Sequence, residues 1–212
     1  MKDLVFVSVA FGQRYLDQQT RLKQSILDIY PEANIMFWYD ELPPGSKSMN
    51  DSLYGFKVHA IYEAQKKFSK VLWLDPAMIL VKEVDILDGF NFAVVKDDNL
   101  VHKFTSNKSL EYFGLSRDHI TEKRIHLVGG SLYYFDFNSE IVQVLFYTWY
   151  NAEVDCIFGS QREEASQQLQ GHRSDETCMA LSMYKTGFSP LGAYEIGYCI
   201  ESNPTFIKKH FK

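Results

Sequence analysis

Apolar positions along the chain follow two patterns, short continuous runs and longer stretches with helical spacing. Three short runs rich in β-branched and aromatic residues predict strands at residues 4–10, 35–39 and 71–74, and the first and third of these are predicted to be buried. Between them, residues 17–30 and 55–68 place apolar side chains at helical spacing, and Asp17 is predicted to cap the first of these helices. The order strand, helix, strand, helix, strand predicts parallel strands joined by right-handed crossovers.

The second half of the chain continues this alternation. Further strands are predicted at residues 79–81, 92–95, 125–136 and 194–200, and further helices at residues 139–151 and 174–185. Residues 97–117 are predicted to be a loop or weak helix that covers the site, and residues 159–170 a mobile connection or an exposed helix. We therefore expect one domain, residues 1–212, with a layered, Rossmann-like α/β fold in which helices flank a central, mostly parallel mixed sheet.

Composition narrows the classes of function. The 212 residues are 46% hydrophobic and 15% aromatic, which is enough material for one core. A net charge of −5 with scattered lysines, apart from a basic tail at residues 208–212, disfavours a nucleic-acid partner. Three widely spaced cysteines match neither a disulfide framework nor a zinc cluster, and predict buried thiols in a reducing compartment. The apolar run near the N-terminus is too short to span a membrane, so we expect no transmembrane segment and a cytoplasmic protein.

A carboxylate follows directly after the apolar run at residues 71–74. Pro76 removes a backbone donor and disfavours helical geometry at Asp75, so the chain is expected to turn there. This turn presents the carboxylate at the carboxyl end of a strand, the edge at which open α/β sheets bind their ligands. An acidic turn without a ligand is the alternative explanation.

Two further features have both a structural and a functional explanation. Gly129 and Gly130 interrupt the strand predicted at residues 125–136, which indicates either a bend or a close approach of another group to the backbone. Asp175 and Glu176 open a helix, where the helix dipole stabilises acids regardless of function. Alternatively, one of the two acids bonds substrate hydroxyls or acts as a base.

Motifs of several other enzyme classes are absent from the sequence. It contains no Gly-x-Gly-x-x-Gly, no Gly-x-x-x-x-Gly-Lys-Ser/Thr, no Gly-x-Ser-x-Gly and no pair of histidines at i and i+4. These absences argue against dinucleotide enzymes, P-loop NTPases, α/β-hydrolases and a helical zinc site.

Taken in order, these features resemble the GT-A fold of nucleotide-sugar glycosyltransferases. The landmarks of that family are an Asp-x-Asp turn, a glycine loop, an acidic motif and a histidine near the C-terminus, and they match Asp75, Gly129-Gly130, Asp175-Glu176 and His210. The resemblance covers nearly the whole chain, and the sequence also looks like the N-terminal domain of a chlorella-virus glycosyltransferase. It departs from the family at Ala77, which stands where the motif has its second aspartate.

The resemblance implies a metal-dependent glycosyltransferase of the hexosyltransferase type with a UDP-sugar donor and a glycan or glycoprotein acceptor; a viral origin would place it in the host cytoplasm. It implies Asp75 and His210 as ligands of Mn²⁺ or Mg²⁺, and Asp175 and Glu176 as catalytic residues. By the same resemblance, the donor nucleotide and sugar contact the first-strand loop, the glycine pair and several basic residues: Ser8, Ala10, Phe11, Arg14, Tyr15, Lys57, Gly129, Gly130, His172 and Arg173.

Structural alternatives remain for some of these residues. His210 is otherwise a solvated tail residue, and Lys57 an ordinary surface lysine. Because the loss of a metal carboxylate usually costs the metal, Ala77 favours a second hypothesis, a non-catalytic nucleotide-sugar-binding domain. A third class, a protein-interaction module, would leave the acidic landmarks far apart in space, so their positions in the fold discriminate between these classes.

Overall fold

A five-stranded sheet lies at the centre of the structure, a computed structural model that describes residues 3–159, 174–189 and 207–209. The strands are β1 (Leu4–Ala10), β2 (Asn34–Tyr39), β3 (Lys70–Leu74), β4 (Met78–Leu80), β5 (Phe92–Leu100), β6 (His126–Asp136) and β7 (Ile207–Lys209). The helices are α1 (Gln13–Ile29), α2 (Phe56–Gln65), α3 (Asn107–Phe113), α4 (Arg117–Glu122), α5 (Glu140–Val154) and α6 (Ser174–Thr186), with 3-10 turns at Asp85–Gly89 and Val101–Lys103.

The central sheet has the strand order β2-β1-β3-β6-β5. β1 is parallel to β2 and β3, whereas β6 is antiparallel to both β3 and β5. Four strands therefore run in one direction and β6 runs in the other. This arrangement confirms the predicted mixed, mostly parallel sheet flanked by helices.

Helices cover both faces of the sheet. Successive side chains of β1 point to opposite faces, so this strand contributes to the core on each side. Val5, Val7 and Val9 belong to a core that includes buried residues of α2, α5 and α6. Leu4 and Phe6 belong to the other core, which includes Leu22 and Ile26 of α1. The first strand is consequently buried along its whole length, as its continuous apolar run predicts.

The first helix begins earlier than predicted. It starts at Gln13, directly after the loop residue Gly12, so Asp17 lies inside the helix and not at its cap. The Asp17 carboxylate accepts a hydrogen bond from the Gln13 side chain at 2.7 Å. Asp17 therefore stabilises the first turns of α1 through an i, i+4 side-chain pair, and it does not cap the helix.

Residues 97–117, predicted to be a loop or weak helix, are largely ordered into regular elements. β5 continues to Leu100, and a 3-10 turn and α3 follow. The Ser106 hydroxyl accepts a hydrogen bond from the Ser109 backbone amide at 3.0 Å and so caps α3. Elements this short offer too few apolar positions to show a helical period in the sequence.

The end of the chain also differs from the prediction. Lys208 and Lys209 of the predicted basic tail form β7 together with Ile207, and this strand pairs antiparallel with β4. The strand predicted at residues 194–200 lies outside the described residues, as does the connection predicted at residues 159–170 except for Gly159.

The two cysteines that the structure describes differ in their exposure. Cys178 is a buried thiol, as predicted, whereas Cys156 is exposed at the turn after α5.

In the part of the chain that the structure describes, no helix is both long enough and apolar enough to cross a membrane.

Candidate functional site

A cleft of about 650 Å³ lies where β1 and β3 end. One group of side chains in its wall is aromatic or apolar and comprises Phe11, Tyr15, Met49, Leu53, Tyr54, Phe56 and Trp73. A second group is charged and comprises Lys57, Asp75, Asp175 and Glu176. The cleft thus brings together acidic residues from opposite halves of the chain at the sheet edge where α/β folds bind ligands.

The Lys57 ammonium is the centre of the charged group. Its Nζ donates hydrogen bonds to Asp175 Oδ2 at 2.8 Å and to the carbonyl oxygen of Gly130 at 3.0 Å. It also lies 3.6 Å from Asp75 Oδ1. The Gly130 backbone amide in turn donates to Glu176 Oε1 at 2.8 Å. Both backbone groups of Gly130 therefore connect the charged side chains to β6.

Three elements fix the positions of these groups. Lys57 lies in the first turn of α2 and is buried, so it is not the ordinary surface lysine of the structural alternative. Asp75 follows β3, and its backbone amide donates to the carbonyl oxygen of Ser131 at 3.0 Å. Asp175 opens α6, and the indole of Trp149 donates to its backbone carbonyl at 3.0 Å. Each charged side chain is thus attached to a regular element that is packed in the core.

A side chain at Gly130 would displace the charged side chains that approach this residue. A Cβ atom at this position would lie 2.9 Å from both Asp175 Oδ2 and Lys57 Nζ. The same atom at Gly129 would meet nothing nearer than 3.7 Å, and Gly129 instead adjoins a register shift between β5 and β6. The two glycines therefore serve the two purposes that the sequence left open, a close approach at Gly130 and an irregular strand at Gly129.

The charged group contains one cation and three carboxylates. Burial lowers the pKa of Lys57, but Asp175 and Asp75 outweigh burial and hold this pKa above its usual value. Burial raises the pKa of Asp175, and its ion pair with Lys57 opposes that rise. Lys57 is therefore charged, and the cluster is short of positive charge when all three acids are ionised.

A buried hydroxyl lies next to these acids. Tyr133 is fully buried in β6, and burial, followed by the charges of Asp175 and Glu176, raises the pKa of its hydroxyl well above the usual value. The side chain is therefore neutral and can act only as a hydroxyl, not as a phenolate.

The structure places the predicted nucleotide-binding residues in different environments. Phe11 and Tyr15 line the cleft, and the Arg14 guanidinium lies 5.9 Å from the centre of the Tyr15 ring. Ala10 is buried at the end of β1, where its carbonyl oxygen accepts a hydrogen bond from the Asp40 amide. Ser8 is fully buried, and strand alternation puts its side chain on the face of Phe6, opposite to the cleft residue Val9. His172, Arg173 and His210 lie outside the described residues.

Sequence reasoning missed several residues of the cleft. Met49, Leu53 and Tyr54 precede α2 in a stretch without apolar periodicity, so no pattern singles them out. Trp73 could have been found, because it lies two positions before Asp75 and alternation places both on one face. The segment at residues 97–117, predicted to cover the site, contributes none of the side chains that line the cleft.

The described residues contain no group of three His, Cys, Asp or Glu side chains that could hold a metal ion. Asp75 contributes one carboxylate, and Ala77 lines the cleft beside it. Strand β7 pairs Lys209 with Met78, which is three residues after Asp75. The backbone thus brings the residue before His210 close to the acidic turn, while the position of His210 itself is not described.

Comparison with known proteins gives structural similarities only. No protein-family model and no curated protein matches the sequence. The chain is similar to a glycosyltransferase involved in the glycosylation of the major capsid of PBCV-1, with 13% identity and a TM-score of 0.44 over 87% of this chain and 76% of that one. It is also similar to the bifunctional glycosyltransferase WbbM, with 10% identity and a TM-score of 0.47 over 91% of this chain and 39% of that one. Both of these proteins are described as glycosyltransferases.

Proposed function

We propose that the protein transfers a sugar from a UDP-sugar to a glycan or glycoprotein acceptor. The observation that carries this proposal is the convergence of Lys57, Asp75, Asp175 and Glu176 in one cleft, next to an aromatic wall. These residues are far apart in the sequence, and a protein-interaction module would have no reason to bring them together. Buried charges gathered in a cleft are typical of a functional site.

The two groups of side chains suit the two parts of a sugar nucleotide. The rings of Phe11 and Tyr15 offer apolar faces for the base, as exposed aromatic side chains commonly do for nucleobases. The charged group is suited to the diphosphate and the sugar. A volume of about 650 Å³ is within the usual size of a small-molecule site.

A divalent cation would offset the excess negative charge of the cleft. One ammonium faces three carboxylates, and a diphosphate adds further negative charge, so the complex needs more positive charge than Lys57 supplies. We propose Mn²⁺ or Mg²⁺, held by Asp75, His210 and oxygens of the diphosphate, because such ions often use one or two carboxylates plus substrate phosphates. An imidazole ligand favours Mn²⁺. When bound, the ion stabilises the leaving diphosphate as a Lewis acid.

The acidic residues of α6 take different roles in this proposal. Asp175 is buried and bonded to Lys57, so it holds the ammonium in place at the wall of the cleft. Glu176 is partly exposed, lines the cleft and is held by the Gly130 amide. Glu176 is therefore the better placed of the two to accept hydrogen bonds from sugar or acceptor hydroxyls, or to act as a base if the reaction inverts the anomeric centre.

A thermal-shift panel of UDP, GDP, CMP and ADP, with and without Mn²⁺, tests the proposal. A ligand that binds the folded state raises the melting temperature by mass action, and we expect UDP with Mn²⁺ to raise it most. Hydrolysis of UDP-sugars provides a measure of turnover that needs no acceptor. Equal shifts for all four nucleotides, or none, would contradict the proposal. A shift for UDP without any turnover would instead support the non-catalytic binding domain that Ala77 favours.

A further inference from the structure

A second polar cluster lies behind the wall of the cleft, and the proposed chemistry does not use it. Its centre is Glu153 of α5, which is fully buried. Glu153 Oε2 lies 2.6 Å from Nε2 of His59, a buried residue of α2. Glu153 Oε1 lies 3.5 Å from the ammonium of Lys47. One carboxylate inside the protein therefore links two helices to the chain segment that precedes α2.

The same segment is fastened to the end of α5 by backbone contacts. The Lys47 ammonium donates to the carbonyl oxygens of Glu153 at 2.6 Å and Val154 at 2.9 Å, the last two residues of α5. The Leu53 amide donates to the carbonyl oxygen of Gly159 at 3.1 Å. Residues 47–55, here named the wall segment, are thus held at two points by the chain at and after the end of α5.

Packing around Gly55 shows how closely the wall segment fits the cluster. A Cβ atom at Gly55 would lie 2.3 Å from the hydroxyl oxygen of Ser52 and 2.8 Å from Glu153 Oε1. Real Cβ atoms do not come this close to other atoms, so a larger residue at Gly55 would displace the Ser52 hydroxyl and the Glu153 carboxylate. The segment and the buried carboxylate are therefore fitted to each other.

The wall segment forms one side of the cleft. Met49, Leu53 and Tyr54 line the cleft, and α2 with Lys57 follows directly. Tyr54 has a φ of 61°, a left-handed conformation that non-glycine residues adopt only where their surroundings hold them. Its ring centre lies 5.1 Å from the Lys57 ammonium. The conformation of the wall segment therefore determines the positions of the Tyr54 ring and of the start of α2 relative to the charged group.

We propose that Glu153 is a positioning residue for the cleft: through Lys47 and His59, its carboxylate holds the wall segment in the conformation that places Tyr54 and Lys57. A carboxylate removed from water stays ionised only when its partners compensate for its lost hydration, and it then fixes those partners strongly. Burial raises the pKa of Glu153, but His59, Ser52 and Lys47 outweigh burial and hold this pKa below its usual value. The effect on catalysis rests on the proposed function, whereas the effect on the wall segment does not.

Three variants test this role. Glu153→Gln keeps the shape of the side chain and removes its charge. Lys47→Met removes one partner whose side chain is 28% exposed, so this variant is expected to fold even if the first does not. Val142→Ala is the control, because Val142 is a buried residue of the same helix and its truncation destabilises the protein away from the cluster.

Hydrogen exchange of the amides in the wall segment is the first readout. We expect at least tenfold faster exchange at residues 48–55 in Glu153→Gln and in Lys47→Met, and exchange close to that of the unchanged protein in Val142→Ala. The second readout is UDP-sugar hydrolysis, for which we expect both test variants to raise KM several-fold while kcat changes less.

Each outcome decides between distinct conclusions. Unchanged exchange in the wall segment of both test variants, or the same acceleration in Val142→Ala, would overturn the proposal by making Glu153 an ordinary core residue. Faster exchange with an unchanged KM would show that the segment does not position the cleft, and would also overturn it. If the unchanged protein binds no nucleotide, the proposed function fails, and the exchange data alone decide whether Glu153 holds the wall segment.

Discussion

Replacing Lys57 by methionine would test whether its ammonium holds the charged group together. Lys57 and Asp175 form a buried ion pair at 2.8 Å, with side-chain exposures of 7% and 3%. Removing one partner of such a pair leaves an uncompensated buried charge, which typically costs about 3–5 kcal/mol of stability. We therefore expect Lys57→Met to lose about 3–5 kcal/mol of unfolding free energy at pH 7, a large part of the total stability of a typical domain.

The size of this loss should depend on pH in a defined direction. In the variant, burial and the charge of Asp75 raise the pKa of Asp175, and no ammonium opposes them. An acid whose pKa is higher in the folded than in the unfolded state favours folding most when it is protonated. The contribution of Asp175 to the stability of the variant should therefore be largest below its unfolded pKa of about 3.9 and should fall as the pH rises, by at most about 1.4 kcal/mol per pH unit.

Urea denaturation between pH 4 and pH 7.5 would measure both effects. The double variant Lys57→Met with Asp175→Asn is the matched test, because it removes the unpaired charge and should recover more than half of the loss at pH 7. A loss below about 1 kcal/mol at pH 7 would refute the reasoning, given the 3–5 kcal/mol expected for a broken buried pair. A loss independent of pH, or a double variant less stable than either single variant, would refute it as well.

Three further predictions concern the cleft and the opposite face of the sheet. Asp75→Asn should abolish the Mn²⁺-dependent part of the UDP thermal shift and leave the apo melting temperature unchanged, because this side chain is 26% exposed at a strand end. Gly130→Ala should lower UDP-sugar hydrolysis by roughly 100-fold, because its Cβ displaces Asp175 and Lys57. Gln19→Leu should raise the unfolding free energy by about 1–3 kcal/mol in urea titrations, because the buried Gln19 amide has no hydrogen-bond partner within the described part of the chain.

Each of these predictions has its own control. An Mn²⁺ response that survives in Asp75→Asn would place the metal elsewhere. Gly129→Ala is the control for Gly130→Ala, since a Cβ there has room, and equal losses in both variants would disprove the close-approach argument. A Gln19→Leu variant less stable than the unchanged protein would mean that the amide has a partner, such as buried water, that leucine cannot replace.

The sequence predicted the first half of the sheet well, although only β1 and β3 are buried and the edge strand β2 is half-buried. The runs that form β1, β2 and β3 are continuously apolar, and no other local pattern competes with them. Helix ends were less predictable, as the inclusion of Asp17 in α1 shows. The pairing of β7 with β4 has no local signal at all, since it depends on which segment the tail meets in space.

Individual side chains of the site were predictable where chemistry and position coincide in the sequence. Asp75 was found because a strand and a proline frame it, and the structure does place it in the cleft. The ion pair of Lys57 with Asp175 could not be predicted, because it joins residues 118 positions apart. Glu153 lies beyond the predicted end of its helix at residue 151, and a charged residue there is normally exposed, so only tertiary structure reveals that it is buried.

The position of β6 between β3 and β5 has a consequence for the folding pathway. β1, α1, β2, α2 and β3 are consecutive in the chain and can associate early, whereas the charged group needs β6 and α6, which arrive only after long loops have closed. Until then, Lys57 has neither the Gly130 carbonyl nor Asp175 as a partner. A nucleotide that binds the cleft should therefore recognise only the completed molecule, and in refolding experiments it should slow unfolding without accelerating folding.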